Sequence, residues 1–338
     1  MKYFVYHKAC GLVGSNVKIN IYRAYWCGFT LLLTSILAIA ISLRPENLTA
    51  DYEIYSIMYY DPERRSGEII FQFLRWITSG FDNGFIILLF IHCFISLFLK
   101  FNSLYRLDRF NLIYFILFYF AAFLPLWEMS QIRVCLAISF YFFAILRCKG
   151  WMKWLFVLLA FLTHSSIIFI ILPLLIYDFI SRKLYVFLLI CFPIAIVSKY
   201  IILFTSYSVY DSSSYSGYYT FLSLKNLLLI FLIYYCWFVD KSNIYYIKLN
   251  CCISLSIIVF SIVLGGQFPA VAIRITDIAT FLMISGFIFL PNNRINFLLK
   301  FVIITLVVLF YGYMNFFSDT AVFNMKVFQF LFSNLAIW

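Results

Sequence analysis

Long apolar blocks recur along the chain and are separated by short polar segments. Blocks of about 17–25 residues are long enough to cross roughly 30 Å of hydrocarbon as a helix. The blocks are continuous rather than alternating, which excludes a membrane β-barrel. The pattern predicts nine full transmembrane helices, over 24–43, 84–99, 110–126, 132–147, 184–203, 222–239, 249–266, 272–290 and 300–314.

Composition supports an all-α polytopic membrane protein. The 338 residues are 65% hydrophobic, 22% aromatic and 12% charged, and the mean hydropathy is +0.98. A soluble domain of this composition would have too little polar surface to cover itself. We therefore predict one polytopic membrane domain over 1–338, with no removable signal peptide. The nine cysteines form an odd set without a CxxC motif and predict neither disulfides nor zinc.

The net charge of +11 follows from topology and does not indicate a nucleic-acid partner. Lys and Arg concentrate in cytoplasmic loops of membrane proteins. The basic N-terminal arm is therefore predicted to be cytoplasmic, and the segment 44–83 is predicted to be an external loop. Side assignments after residue 150 depend on how the block 151–181 crosses the membrane, and the segment 204–221 is an external loop if that block is a hairpin.

The block 151–181 contains the polar run "LTHSSIIF", with His164 in an otherwise apolar environment. If the block is a single span, the later basic loops face outward. If it is a broken helical hairpin, they face the cytoplasm, and each arm of about 24 Å brings His164 towards the outer face. We favour the hairpin, because discontinuous helices in membranes commonly line binding sites. A single span with His164 bonded to a neighbouring helix is the alternative.

With this topology, ionisable residues gather at the external side. They are Arg44, Asp51, Glu68, Arg133, His164 and Arg274. Ionisable residues embedded in membranes are costly and commonly functional. Three arginines and a histidine suit an anionic ligand, because a guanidinium binds phosphate through a rigid fork. Each arginine alone could instead be an interface anchor, and the two acids could be ordinary loop residues.

Five motifs around these residues resemble those of EpsG-like and Wzy-type polysaccharide polymerases. "SLRPENLTADYEIY" resembles the arginine and Asp-Tyr-x-x-Tyr signature after the first span, and "GEIIFQFL" the following glutamate motif. "QIRVCLAISFYFFA" and "VAIRITDIATFLMI" are similar to two arginine motifs, and "THSSIIFIILPLL" to a His-Ser motif. The family's usual glycine is Ala50 here, and its usual glutamine is Val134.

The resemblance implies a metal-independent glycosyltransferase of GT-C-like fold in the bacterial inner membrane. Such enzymes polymerise oligosaccharide repeat units carried on undecaprenyl diphosphate at the periplasmic face. The expected catalytic residues are His164, Glu68 and Asp51, and the expected diphosphate-binding residues are Arg133, Arg274 and Arg44. No cofactor or metal is expected. The expected partners are the lipid-linked glycans, membrane lipid and a chain-length regulator protein.

Other activities remain open from the residues alone. An O-antigen ligase would use the same donor with a lipid A core acceptor, and would be expected to have a larger external loop. A lipid-linked oligosaccharide flippase or exporter would have a charged cavity that opens to both faces, and internal repeats, which the sequence does not contain.

Overall fold

The protein is described by a computed structural model. The described residues are 15–61, 68–105, 107–180, 183–203, 222–240 and 244–316. Their helices are α1 Ser15–Ser42, α2 Ala50–Tyr60, α3 Ile69–Thr78, α4 Gly84–Ser103, α5 Arg109–Phe118, α6 Ile132–Arg147, α7 Trp151–Thr163, α8 Ile168–Leu175, α9 Leu184–Leu203, α10 Leu224–Tyr234, α11 Tyr245–Gly265, α12 Pro269–Ile288 and α13 Arg294–Phe316. Short 3₁₀ turns lie at Glu46–Leu48 and Ser165–Ile167, and π-helical segments at Tyr119–Ser130, Ile176–Ile180 and Tyr235–Val239.

The prediction of an all-helical membrane protein is confirmed, and the described residues contain no β-strand. Six of their helices are long and apolar enough to cross a membrane: Arg23–Ser42, Gly84–Ser103, Arg109–Ser130, Tyr245–Gly265, Pro269–Ile288 and Arg294–Phe316. The other three predicted spans fall on α6, α9 and α10, which do not meet that standard within the described residues. The count of nine and the GT-C-like architecture therefore stay predictions.

Burial separates central from peripheral helices. In α12, 83% of the apolar stretch is buried, against 22% in α1 and 28% in α13. Helix α12 packs most extensively against α11, and α6 packs against both α4 and α7. Leu32 of α1 and Leu309 of α13 are exposed, as expected of side chains that face lipid. The buried part of the bundle thus includes α12 and α6, which carry the predicted site residues Arg274 and Arg133.

Local signals explain several helix boundaries. Asp108 caps α5 by accepting hydrogen bonds from the backbone amides of Phe110 and Asn111. Pro269 occupies the first turn of α12, where a missing amide hydrogen costs nothing. Gly150 has a φ of 56° between α6 and α7, a conformation that favours glycine. The sharp turn there sends α7 back along α6.

The segment 44–83, predicted as a loop, contains two helices in its described part. Helices α2 and α3 pack on α4 through a separate hydrophobic cluster, which contains Tyr52, Tyr55, Tyr59, Phe71, Leu74, Phe85, Leu88, Leu89 and Ile132. The hydroxyl groups of Tyr59 and Thr78 are hydrogen-bonded at 3.2 Å. This packing places Asp51 and Glu68 on ordered helix starts. The predicted external loop 204–221 lies outside the described residues.

The polar run within 151–181 interrupts the helix, as the sequence predicts. Helix α7 ends at Thr163, His164 has an extended backbone, and Ser165–Ile167 forms a 3₁₀ turn before α8. The side chain of Lys153, near the start of α7, forms an ion pair with Asp178, beyond the end of α8. Tyr245 of α11 donates a hydrogen bond of 2.5 Å to the same carboxylate. The two far ends of the block are therefore held together, and His164 lies at the opposite tip.

Candidate functional site

Glu68 joins two residues that come from different helices. Its Oε2 atom accepts a hydrogen bond from Nη1 of Arg133 at 2.7 Å. Its Oε1 atom accepts a hydrogen bond from Nδ1 of His164. The three side chains are 13–18% exposed, so they are largely but not fully removed from solvent. Glu68 sits at the start of α3, Arg133 at the start of α6 and His164 at the end of α7.

Arg133 also lies against two aromatic rings. Its guanidinium carbon lies 5.2 Å from the centre of the Tyr55 ring and 5.8 Å from that of Phe71. Cation–π contacts at these distances help to hold the guanidinium in place. Helices α2 and α3 therefore orient the arginine that α6 supplies.

Arg44 lies in the same region and is only 5% exposed. Its Nη1 donates to the carbonyl of Ile41 at 3.0 Å, and its guanidinium lies 5.2 Å from the centre of the Tyr52 ring. The Nε and Nη2 atoms are buried without a hydrogen-bond partner. Burial lowers the pKa of Arg44 below its ordinary value. Both atoms can donate hydrogen bonds to an anion, which would offset the cost of burying the cation.

Asp51 is held next to Ser130, which lies three residues before Arg133 in the chain. Its Oδ2 atom accepts a hydrogen bond of 2.7 Å from Ser130, which ends the π-helical segment just before α6. Thr49, two residues earlier, donates to the carbonyl of Met129 at 3.1 Å. Asp51 therefore contributes to placing the start of α6, and the structure shows a hydroxyl rather than an arginine as its hydrogen-bonding partner.

Arg274 meets His164 at a small cavity of about 30 Å³, which is room for about one water molecule. Ser166 and Val134 also line it, and the remaining wall is apolar side chains of α12. The hydroxyl of Ser166 is buried without a hydrogen-bond partner. The cavity therefore joins the start of α12, the break at His164 and the start of α6. It brings Arg274 to the side of His164 that faces α12.

The sequence profile of the EpsG family matches residues 28–337. The chain belongs to the EpsG family. No curated protein and no solved structure matches it. The predicted resemblance is thereby confirmed at the level of the family. This EpsG-family chain is a multi-pass membrane protein by its apolar helices.

The charge of Glu68 in this EpsG-family site is controlled by its two partners. Burial alone would raise the pKa of the Glu68 carboxyl. The hydrogen bond and charge of His164, followed by those of Arg133, outweigh that effect and hold the pKa below its ordinary value of 4.5. Glu68 is therefore an anion at neutral pH, with both oxygens engaged by cationic or hydrogen-bonding groups.

The EpsG-family chain also contains charged pairs that the sequence analysis did not predict. Lys100 and Glu128 form an ion pair of 3.0 Å and are 0% and 1% exposed. Both positions border apolar blocks and looked like loop charges. Lys225 of α10 and Asp277 of α12 form a pair of 2.7 Å, one helical turn beyond Arg274. The sequence signal for this second pair is Asp277, an acid three residues after Arg274 in a membrane helix. A buried acid there is costly without a partner.

The described residues contain no group of three or more His, Cys, Asp or Glu side chains placed to hold a metal ion. The side chains that do converge are arginines, a histidine and a carboxylate. This combination is suited to binding an anion and to moving a proton.

Proposed function

We propose that this EpsG-family protein is a metal-independent membrane glycosyltransferase that polymerises undecaprenyl-diphosphate-linked oligosaccharide repeat units. The reaction would take place at the periplasmic face of the bacterial inner membrane. The observation that carries the proposal is the Arg133–Glu68–His164 chain beside a cavity that Arg274 also lines. It combines guanidinium groups for a departing diphosphate with an imidazole for an acceptor proton.

The leaving group of this reaction is a lipid diphosphate, whose charge grows as the glycosidic bond breaks. Preorganised cationic donors stabilise such charge most where water is largely excluded. The buried, unused donors of Arg44 support its role as one anion contact. Arg133 and Arg274 would supply the others. The cavity is smaller than a diphosphate, so the ligand would enter from the partly exposed side of Arg133 and His164.

The acceptor must lose a hydroxyl proton when the new glycosidic bond forms. Glu68 engages Nδ1 of His164, which leaves Nε2 as the ring nitrogen available to an acceptor hydroxyl. A carboxylate in this position orients the imidazole and stabilises the cation formed when it takes a proton. We therefore assign the base to His164, and assign Glu68 and Asp51 to holding the groups around it.

Deletion of the gene in its native host, with analysis of surface glycans on a gel, tests the activity. Loss of the polymer ladder with one repeat unit retained on the core is expected of a polymerase. Loss of every unit from the core would instead indicate a ligase or a flippase.

Reconstitution separates these two alternatives. The lipid-linked fraction extracted from the deletion strain is mixed with purified protein in liposomes. Growth of the glycan by whole repeat units, without added lipid A core, is expected. Elongation that requires the core acceptor would support the ligase, and transport across the bilayer without elongation would support the flippase.

A further inference from the structure

A fully buried polar network lies outside the Arg133–Glu68–His164 chain. The Oε1 atom of Glu128 accepts hydrogen bonds from Ser96 at 2.8 Å, Lys100 at 3.0 Å and Tyr119 at 2.5 Å. All of these side chains are at most 1% exposed. Aromatic rings surround the ammonium group, which lies 5.1 Å from the centre of the Tyr119 ring.

The network ties three helical segments together. Ser96 and Lys100 belong to α4, whereas Tyr119 and Glu128 belong to the π-helical segment that continues α5. On α6, Cys135 lies 2.9 Å from the Lys100 ammonium, and Ser139 is hydrogen-bonded to Ser96 at 2.8 Å. Through Ser96 and Lys100, Glu128 is therefore anchored to the beginning of α6, the helix that carries Arg133 in its first turn.

Such a network is an expensive way to join helices in a membrane protein. Removing an ammonium and a carboxylate from water costs energy that their attraction only partly offsets. Apolar side chains of similar volume would pack these helices without that cost. Buried ionisable groups in membrane segments are accordingly associated with function more than with stability.

The network is placed to control one short stretch, the residues from Glu128 to Arg133. Within it, the carbonyl of Met129 accepts from Thr49 and the hydroxyl of Ser130 donates to Asp51. The amide of Gln131 donates to the carbonyl of Leu126 at 3.0 Å, a wide i-to-i−5 step. Segments of this π-helical type are rare and commonly occur at functional sites. Glu128, the first residue of this stretch, is anchored in the buried network, and Arg133 is its last residue.

We infer that the Lys100–Glu128 pair is a positioning unit, which sets the direction of Arg133 for binding the diphosphate of the lipid-linked substrate. The inference rests on the proposed function, because it assigns the ligand of Arg133. Glu128 acts through the backbone of the stretch and does not touch the substrate. Loss of its charge should rotate the start of α6 and displace the guanidinium from its place between Tyr55 and Glu68.

The test measures binding of undecaprenyl diphosphate to the full chain in lipid nanodiscs. The ligand is the leaving group of the proposed reaction, so its affinity reports on Arg133 without catalysis. Glu128→Gln should weaken binding about tenfold or more, because small misplacement of a positioned group has effects of this size or larger. Ser96→Ala removes the hydrogen bonds of the Ser96 hydroxyl but keeps the Lys100–Glu128 ion pair, so it should give a smaller loss in the same direction.

A double-variant cycle shows whether the effect passes through Arg133. Adding Glu128→Gln to Arg133→Lys should weaken binding no further than Arg133→Lys alone, since the positioned fork is already absent. Asp178→Asn is the matched control, because it breaks the ion pair at the other end of the α7–α8 block. It should lower the thermal stability of the protein and leave the affinity unchanged.

Every other outcome contradicts either this inference or the proposed function. If Glu128→Gln and Ser96→Ala lower thermal stability but bind as tightly as the original chain, the network only supports the fold. Additive losses in the double variant would exclude action through Arg133. If the unmodified chain elongates glycans while Glu128→Gln retains full affinity, this inference alone is wrong. An unmodified chain that neither binds the ligand nor elongates glycans overturns the proposed function, and this inference with it.

Discussion

His164 donates a hydrogen bond from its Nδ1 atom to Glu68, a residue 96 positions earlier in the chain. The contact joins the break after α7 to the start of α3. It also gives the imidazole a fixed direction, because the other carboxylate oxygen is held by Arg133. The proposed base and the carboxylate that orients it thus come from segments that are far apart in sequence.

Replacement of His164 by Asn should abolish polymerisation and leave the protein folded. The Asn amide can still donate towards Glu68, but it cannot take up a proton, so rates should fall about 10²–10⁴-fold. Initial rates of glycan elongation by purified protein measure this. Thr163→Val is the control, since the Thr163 hydroxyl bonds only within its own helix, to Leu159. Full elongation by His164→Asn would remove the histidine from the chemistry.

Glu68→Gln should be more damaging than Asp51→Asn. Glu68 contacts both Arg133 and His164, whereas the observed hydrogen bond of Asp51 is to Ser130. A neutral amide would leave the arginine without its counter-charge and weaken the orientation of the imidazole. Elongation rates should differ by about tenfold or more between the two variants, in line with the larger value of charged hydrogen bonds. Equal losses would show that Asp51 has the same importance.

The contribution of Glu68 to stability should depend on pH in one direction. Its pKa is lower in the folded protein than its ordinary value of 4.5, so ionisation favours folding. The contribution is fully present above pH 4.5 and decreases as the pH falls towards and through the folded-state pKa. The difference in unfolding temperature between the original chain and Glu68→Gln should therefore be constant near neutrality and shrink in acid. A difference that grows in acid would mean that the carboxylate is not stabilised by its partners.

Lysine should not replace the arginines of the site. Arg133→Lys, Arg274→Lys and Arg44→Lys keep the charge but lose the planar fork. In Arg133→Lys the guanidinium contacts with Tyr55 and Phe71 are lost as well. Each should raise the KM for the lipid-linked donor and weaken inhibition by undecaprenyl diphosphate.

Arg147→Lys is the matched control, because Arg147 is the last residue of the helix that carries Arg133 in its first turn, and its guanidinium carbon lies 3.8 Å from the centre of the Tyr105 ring. It should leave both quantities unchanged. Unaltered kinetics in all three lysine variants of the site would show that these arginines serve only as anchors at the membrane interface.

The membrane sides can be tested with single cysteines and a membrane-impermeant maleimide. Ser181→Cys is expected to react only from the cytoplasm and Glu46→Cys only from the periplasm, because the block 151–181 is proposed to return to its starting side. The original chain controls for labelling of its native cysteines. Periplasmic labelling of Ser181→Cys would require a single span.

The helices could be predicted from sequence because hydropathy is a local property. Each predicted span falls on a helix, and the break at His164 follows from four consecutive polar residues. How deeply a side chain is buried, by contrast, is not a local property of the sequence. Lys100 and Glu128 each border an apolar block, so nothing along the chain shows that α4 and the π-helical segment bring them together. That contact depends on how the helices pack.

The candidate site was predictable as a set of residues but not as an arrangement. Charge and spacing selected Glu68, Arg133 and His164, and the structure brings them into direct contact. From the sequence, Glu68 and His164 are expected as separate catalytic residues, whereas in the structure they form a hydrogen-bonded pair. The helices within 44–83 create this pairing, and their short, mixed apolar pattern looked like a loop.

The ion pair between Lys153 and Asp178 has a consequence for how the chain is made. Helix α7 has 13 residues and spans only about 20 Å, too short to cross a bilayer of roughly 30 Å. If the block enters the membrane as the proposed hairpin, neither arm crosses the bilayer by itself, and the two arms must enter together. The lysine and the aspartate would then neutralise each other when the hairpin closes.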